Sequence, residues 1–381
     1  MSSPPPPQSS AIHVAATEAT VVHNRNWWLR MAAYTLCVLF GQTSATLLIR
    51  LYYNKGGKTV WLTSLVETVG FPILVPFYLY LRPLARQQLT ENNNTTSNPP
   101  SLLILSAIYI SLGVLQSLSS ILYSVGLFYL PLSTFSLIST TQLAFNAFFS
   151  YFLNAQKLTH LIINSLVLLT ISAVLLVLQG DSEETQVGMS RKKSLKVGFI
   201  CTIAASAIYS LGLSLTQLAF QKVIKDETLR TVLNMIIYQS LVASIVTIMA
   251  LFISGQWNDL SSEMMSFELG KIIYLIIITS IAVCWQISTI GAVGLIFEVS
   301  SLFSNVISTL ALPIIPILAV IIYHEKMNAM KAIATVLAIW GFGSYVYQHY
   351  LDESQPTNGS EPPNGNEPTN GSEAVDEVSP T

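Results

Sequence analysis

The feature that most constrains this chain is a succession of long apolar runs. Ten segments of membrane-crossing length follow one another: 28–49, 60–81, 101–122, 131–153, 159–179, 197–220, 232–254, 269–289, 295–322 and 328–349. A helix needs about 20 mostly apolar residues to cross a bilayer. The sequence therefore predicts an all-α polytopic membrane protein with ten transmembrane helices. Composition agrees. The 381 residues are 51% hydrophobic and 10% charged, against about 25% charged in an average soluble domain. Most connections are short, and the longer ones, "TENNNTTSNPP" and "GDSEETQVGMSRKKS", are polar.

The ends differ from the middle. Residues 1–26 open on Pro and Ser and have no apolar core of a cleaved signal, so they read as a disordered arm. Residues 351–381 are polar, acidic and rich in Pro, Gly and Asn; such a tail buries no core and reads as disordered. Between them lie a first five-helix repeat (27–180), a polar loop (181–196) and a second five-helix repeat (197–350). Cys37, Cys201 and Cys284 fall inside apolar runs without metal-ligand spacing, so they read as small buried hydrophobes. The net charge of −2 argues neither way about a nucleic-acid partner, but the sequence has no strongly basic domain to track phosphates, so none is expected. Lys and Arg divide almost evenly between the two predicted sides, so the positive-inside rule does not orient the chain. Asn93, Asn94, Asn358 and Asn370 each begin an N-x-[ST] sequon and, if glycosylated, would put the termini outside.

An offset of 169 residues lays "VLQSLSSI" (114–121) on "VCWQISTI" (283–290). Val114, Ser119 and Ile121 then meet Val283, Ser288 and Ile290. Phe128 meets Phe297, and Lys157 meets Lys326. A repeat of five spans is odd-numbered, so its second copy enters the membrane inverted. Inverted repeats of this kind place a substrate site near the midplane, between the halves.

Several polar residues lie where lipid offers them nothing. Glu67 is seven residues into its span, and a carboxylate near the bilayer centre costs about 2.5–3.5 kcal/mol. It either takes up a proton, meets a cation, or pairs with a Lys or Arg near the interface. Glu298 opens the run 295–322; it either couples a proton or, in the first helical turn, complements the helix dipole. Ser139, Gln142, Asn146 and Ser150 recur at i, i+3, i+7 and i+11, one stripe on one helix face. Gln42, Gln116, Trp285, Gln286 and Asn305 lie in other spans, with Gln116 and Trp285 equivalent under the offset. Such amides either bond helix to helix, at about 0.6 kcal/mol each, or line a cavity. Amides with an indole suit a flat, neutral, nitrogen-rich ring: the amide gives and accepts at the ring edge and the indole stacks on its face. No basic cluster lines the spans to hold a phosphate. Pro72, Pro76, Pro313 and Pro316 predict kinks. No P-loop, catalytic triad, metal set or Gly-rich cofactor motif is present, and no His lies mid-span, which leaves no enzyme signature and no cofactor.

The stretches "GQTSATLLIRLYYNKGGKTVWLTSLVETVGFPIL", "YSVGLFYLPLSTFSLISTTQLAFNAFFSYFLNAQKLT" and "GLIFEVSSLFSNVISTLALPIIPILAVIIYHEKM" strongly resemble the plant purine permeases, of the drug/metabolite transporter superfamily. The likeness covers about residues 27–350. It implies a ten-helix, five-plus-five inverted bundle with both termini cytosolic in the plasma membrane. It also implies proton-coupled import of adenine, cytokinins such as zeatin, and related rings including alkaloids, caffeine and B vitamins. On this reading Gln142, Asn146 and Gln286 bond the ring edges with Gln116, Gln42 and Asn305 beside them, Trp285 stacks, and Glu298 or Glu67 carries the proton. The alternatives are a non-transporting receptor or scaffold with the acidic tail as its docking segment, and an exporter of cationic drugs.

Overall fold

The computed structural model describes residues 8–76, 101–156, 189–224 and 229–324 continuously, with scattered helical residues at 78–79, 163–171 and 328–347. Side chains are described from Trp27 onward. Among the described residues all regular structure is helical. The helices are α1 (Gln8–Asn54), α2 (Val60–Thr68), α3 (Leu102–Tyr129), α4 (Leu132–Ser139), α5 (Gln142–Asn154), α6 (Met189–Ala219), α7 (Leu229–Ile253), α8 (Leu260–Ser266), α9 (Lys271–Glu298) and α10 (Ser301–Tyr323). A 3-10 turn, Phe71–Ile73, follows α2, and a π turn, Phe220–Ile224, extends α6.

The side-chain distribution is that of a membrane bundle. Ile253 and Leu102 are 87% and 83% exposed, whereas Asn146, Ser210 and Ser301 are wholly buried. Large apolar groups face outward because lipid is as apolar as they are; close packing and interhelical hydrogen bonds hold the inside. Five described helices are each long and apolar enough to cross a membrane: Trp27–Asn54, Leu102–Tyr129, Lys193–Ile224, Arg230–Ile253 and Lys271–Glu298. Three further expected spans appear as α2 with its 3-10 continuation, as α4 with α5, and as α10. The expected span 159–179 lies mostly outside the described residues, and 328–349 is described only in part, its described residues from 329 on being helical.

Several expectations are corrected. α1 starts at Gln8, inside the arm assigned to disorder, because Pro4–Pro7 end there and 8–27 holds neither Pro nor Gly. α6 starts at Met189, inside the expected loop 181–196. The span 131–153 is two helices that meet at Thr140 and Thr141. Pro72 falls in the 3-10 turn that interrupts the second span, whereas α10 is continuous. Glu298 does not open a helix. It is the last residue of α9, because Ser300, extended at φ −170, breaks the chain and caps α10 by accepting from the Phe303 N–H. At that end the helix dipole is negative and does not favour an acid. The Arg30 guanidinium compensates, with Nε 2.9 Å from Glu298 Oε1.

The offset of 169 recurs in the element boundaries. α3 and α9 are both 28 residues and begin at Leu102 and Lys271. α2 and α7 begin at Val60 and Leu229. The C-caps of α5 and α10, Ala155 and His324, are both left-handed, at φ 50 and 53. Across the halves, α1 packs most extensively on α9 and α3 on α6. Glycines permit that closeness: a Cβ on Gly41 would lie 2.6 Å from the Cys284 carbonyl, and one on Gly198 would lie 2.9 Å from Tyr129 Cβ. Each pair therefore takes one helix from each half. At one end of the bundle the buried Glu263 carboxylate, on α8, ties the α1–α2 turn to α9. It accepts from Thr59 Oγ1 at 2.6 Å, from the Lys58 N–H at 3.1 Å, and from the Tyr274 and Tyr52 hydroxyls.

Gly41→Leu should therefore drive α1 off α9. Overpacking of this kind costs about 1–3 kcal/mol, read as a lower Tm of the detergent-solubilised protein. Gly212→Ala, with open space around the added Cβ, should leave Tm at or above wild type.

Candidate functional site

A cavity of about 130 Å³ lies between the α1/α9 pair and the α3/α6 pair. α1 contributes Gln42 and Thr46, α2 contributes Glu67, and α7 contributes Gln239. The offset of 169 relates its two main walls: Gln116 on α3 answers Trp285 on α9, Ser119 answers Ser288, and Ser120 answers Thr289. The cavity thus draws residues that correspond under the offset from both walls. An apolar cavity of about 150 Å³ accepts benzene, so this one is scaled to a small ring system and not to a nucleotide.

Local sequence explains how Gln142 reaches the cavity. The run Ser139-Thr140-Thr141 turns its hydroxyls back on the helix: Ser139 Oγ donates to the Phe135 carbonyl (2.9 Å), Thr140 Oγ1 to Leu137 (2.7 Å) and Thr141 Oγ1 to Ile138 (2.8 Å). Such back-bonding competes with the backbone ladder and bends helices. Here Thr140 and Thr141 donate their N–H groups three residues back, and α5 begins at Gln142. The Gln142 carbonyl accepts from Ser210 Oγ (2.6 Å) and Asn305 Nδ2 (3.1 Å), fixing its backbone to α6 and α10. Its side chain is 3% exposed, and the Tyr123 hydroxyl lies 3.1 Å from Oε1. Nε2 has no partner.

The polar stripe therefore divides. Ser139 and Gln142 line the cavity. One turn on, Asn146 donates to the Ser301 carbonyl (3.0 Å) and accepts from Ser214 Oγ (2.9 Å). Ser150 Oγ is 3.2 Å from Ser214 Oγ and 3.1 Å from Ser301 Oγ. Gln217 Oε1 accepts from the Ser301 N–H (2.9 Å), Ser301 Oγ (2.6 Å) and Asn154 Nδ2 (3.2 Å). Asn146 and Ser150 thus join α5, α6 and α10, the helix-to-helix role weighed for such amides.

Of the other expected site residues, Gln42, Gln116, Trp285 and Glu67 line the cavity, while Asn305, Gln286 and Glu298 do not. Asn305 spends its Nδ2 on the Gln142 carbonyl. Gln286 is buried against Gly70, where an added Cβ would fall 2.9 Å from Gln286 Cβ. Glu298 is held by Arg30. Glu67 lies beside the Ser120 and Ser124 hydroxyls, and among the described residues no Lys or Arg pairs with it. Four buried polar atoms of the lining have no partner among the described residues: Gln142 Nε2 and Trp285 Nε1, both donors, and Gln116 Oε1 and Gln239 Oε1, both acceptors. Unpaired buried groups are costly, and a ligand with donor and acceptor edges would satisfy them.

Tyr123, Tyr209 and Gln239 also line the cavity without having been expected there. The offset would have found the Ser288 and Thr289 positions from Ser119 and Ser120; it offers nothing for the two tyrosines.

Comparison with known proteins adds a separate line of evidence. A family profile for purine nucleobase transmembrane transport matches residues 29–355. The chain is 53% identical over 336 residues to a probable purine permease 6 of Arabidopsis thaliana, covering 88% of this chain and 86% of the relative. It is 50% identical over 351 residues to a probable purine permease 10 of that plant (92% and 88% covered). Purine permease 21, also from Arabidopsis thaliana, is 50% identical over 355 residues (92% and 88% covered).

The split stripe gives a measurable contrast. Asn146→Ala removes the bonds to Ser214 Oγ and the Ser301 carbonyl from the buried joint, at a cost of about 1–3 kcal/mol, and should lower Tm. Gln116→Ala removes no bond to another helix and should leave Tm at the wild-type value.

Proposed function

This chain belongs to the purine permease family, and from that premise we propose that it is a proton-coupled secondary transporter importing purine nucleobases and derivatives such as adenine and zeatin. It is a transporter and not an enzyme. The observation that carries the substrate reading is the cavity itself: sized for a small ring, with the free donors of Gln142 and Trp285 and the free acceptors of Gln116 and Gln239. A purine offers ring nitrogens that accept and N–H groups that donate, so it matches both kinds of free atom. The Trp285 indole supplies a face for stacking. The ring is neutral, in keeping with a lining that has no Lys or Arg.

Alternating access follows from a ten-helix, five-plus-five inverted bundle. The α1/α9 and α3/α6 pairs are each closely packed, so they move as units and rock against one another about the cavity. The matched boundaries at 169 residues support this arrangement. The protein resides in the plasma membrane with both termini in the cytosol, as the family resemblance implies.

Proton coupling runs through Glu67. Burial costs a carboxylate about 2.5–3.5 kcal/mol near the bilayer centre, and a proton or a cation offsets it. Glu298 has its cation in Arg30. Glu67 has none among the described residues and faces the cavity, where a proton and the cargo meet. The same observation favours a second reading, in which a protonated ring amine, as in a plant alkaloid, is the cargo and Glu67 its counter-charge.

Cells producing the wild-type protein should accumulate labelled adenine above its external concentration, faster in acid medium, with a protonophore abolishing accumulation. Glu67→Gln should equilibrate adenine without concentrating it, whereas Glu298→Gln should still concentrate it. Uptake indifferent to both pH and protonophore would rule out proton symport. Competition by alkaloids but not by zeatin would favour the second reading.

Gln142→Ala should raise the apparent KM for adenine about tenfold or more, the worth of one hydrogen bond in a closed site, with surface expression unchanged. Wild-type uptake kinetics in that variant would remove Gln142 from the binding site.

A further inference from the structure

Gln142 does not meet the cavity alone. Behind it runs a chain of groups on α3 and α6. The Tyr123 hydroxyl is 3.1 Å from Gln142 Oε1 and also 3.1 Å from Ser206 Oγ. Ser206 Oγ is in turn 2.9 Å from the Thr202 carbonyl. A hydroxyl carries one hydrogen and accepts as well, whereas an amide offers a donor on one arm and an acceptor on the other. Tyr123 therefore donates to Gln142 or to Ser206, but not to both at once.

Two arrangements satisfy this chain. In the first, Tyr123 donates to Gln142 Oε1, Ser206 donates to the Tyr123 oxygen, and the amide NH2 faces the cavity. In the second, the amide is turned about its last torsion. Its NH2 donates to the Tyr123 oxygen, Tyr123 donates to Ser206 Oγ, Ser206 donates to the Thr202 carbonyl, and Oε1 faces the cavity. The same groups serve both, and only hydrogens and one amide rotation differ. The Gln142 backbone stays put in either case, because Ser210 and Asn305 hold its carbonyl.

We propose that Thr202, Ser206, Tyr123 and Gln142 form a reversible hydrogen-bond chain that lets one side chain meet cargo as donor or as acceptor, with Tyr123 and Ser206 as positioning residues that set the choice. This rests on the reading of the cavity as a site for nitrogenous rings. It gives that site tolerance for rings whose edges have opposite hydrogen-bond order. Adenine and hypoxanthine are such a pair: at the six-position edge adenine has an amine donor beside a ring acceptor, and hypoxanthine has a carbonyl acceptor beside a ring N–H.

Ser206 is the member whose removal biases the chain. Without its oxygen, the Tyr123 hydrogen has Gln142 Oε1 as its remaining acceptor, so the amide NH2 is locked toward the cavity. The experiment measures the apparent KM for labelled adenine and hypoxanthine in wild type, Ser206→Ala, Tyr123→Phe, the double variant and Gln142→Ala, with surface expression determined for each. The wild type should take both rings with similar KM. Ser206→Ala should change the ratio of the two KM values by about tenfold, the equivalent of one hydrogen bond gained or lost. In the Tyr123→Phe background, Ser206→Ala should leave that ratio unaltered, a coupling that a merely structural loss of either residue would not produce. An unchanged ratio in Ser206→Ala, or the same shift with and without the Tyr123 hydroxyl, overturns the chain. If Gln142→Ala raises both KM values while Ser206→Ala leaves their ratio unmoved, the chain fails and the binding site stands. If Gln142→Ala changes neither, the cavity reading itself fails.

Discussion

The buried polar joint among α5, α6 and α10 is the interaction on which the site depends. In lipid no hydrophobic force holds helices together, because acyl chains solvate leucine as well as another helix does. What remains is close packing and hydrogen bonds. Asn146, Ser150, Ser214, Ser301 and Gln217 supply the bonds in one place, wholly or almost wholly out of reach of any other partner. Ser301 stands at the first turn of α10, where N–H groups lack intrahelical acceptors, and Gln217 accepts from it. The joint thus completes α10 while fastening it to α6. One turn earlier in α5, Gln142 is delivered to the cavity with its backbone already fixed.

The matched element boundaries at 169 residues account for the frame but not the chemistry. α3 and α9 match in length and register, and their cavity-facing positions pair Ser with Ser and Ser with Thr. At the central pair the correspondence is broken, since Gln116 on α3 answers Trp285 on α9. A twofold cavity of two amides would read two identical edges. A lining with both an amide and an indole offers a partner for one edge and one face, which is what a flat asymmetric ring presents. Two helix interruptions have no match at the offset: α2 and the α4–α5 span are interrupted, whereas α7 and α10, their counterparts, run on. Interruptions in membrane helices are tolerated where they line a cavity or are buried in protein, and the Thr140–Thr141 turn stands directly before a lining residue.

Much of this was legible in the sequence, for identifiable reasons. The apolar runs show the spans because lipid imposes length directly on the chain. The 169-residue offset was visible because apolar and small residues recur where helices must pack alike. The polar stripe from Ser139 to Ser150 was visible because its spacing follows one helix face. What periodicity does not carry is the identity of the neighbour. Gln142 and Asn146 lie one turn apart with the same chemistry, yet one faces a cavity and the other two serines, a difference set by α6 and α10 and not by α5. Glu298 was misread for a different reason. Hydrophobicity continues through 295–322 and hides the break, which Ser300 makes through its backbone and its cap. Glu67 stood out at once as a cost in lipid, but only the packing of α2 against α3 sets it beside Ser120 and Ser124 and leaves it without a basic neighbour among the described residues.

The lining also constrains how such a site releases what it binds. Four amide and indole atoms without partners among the described residues are costly to bury, and a ring that satisfies them gains the difference. Each contact is a neutral hydrogen bond worth about 0.5–1.5 kcal/mol net, with no fixed Lys or Arg clamp among the lining residues. A handful of such bonds gives selectivity at modest affinity, which suits a carrier that must let go on the far side within each cycle. A charged clamp would hold tighter and turn over more slowly. Glu67 is the single carboxylate among the lining residues, set beside amides and hydroxyls that carry no charge.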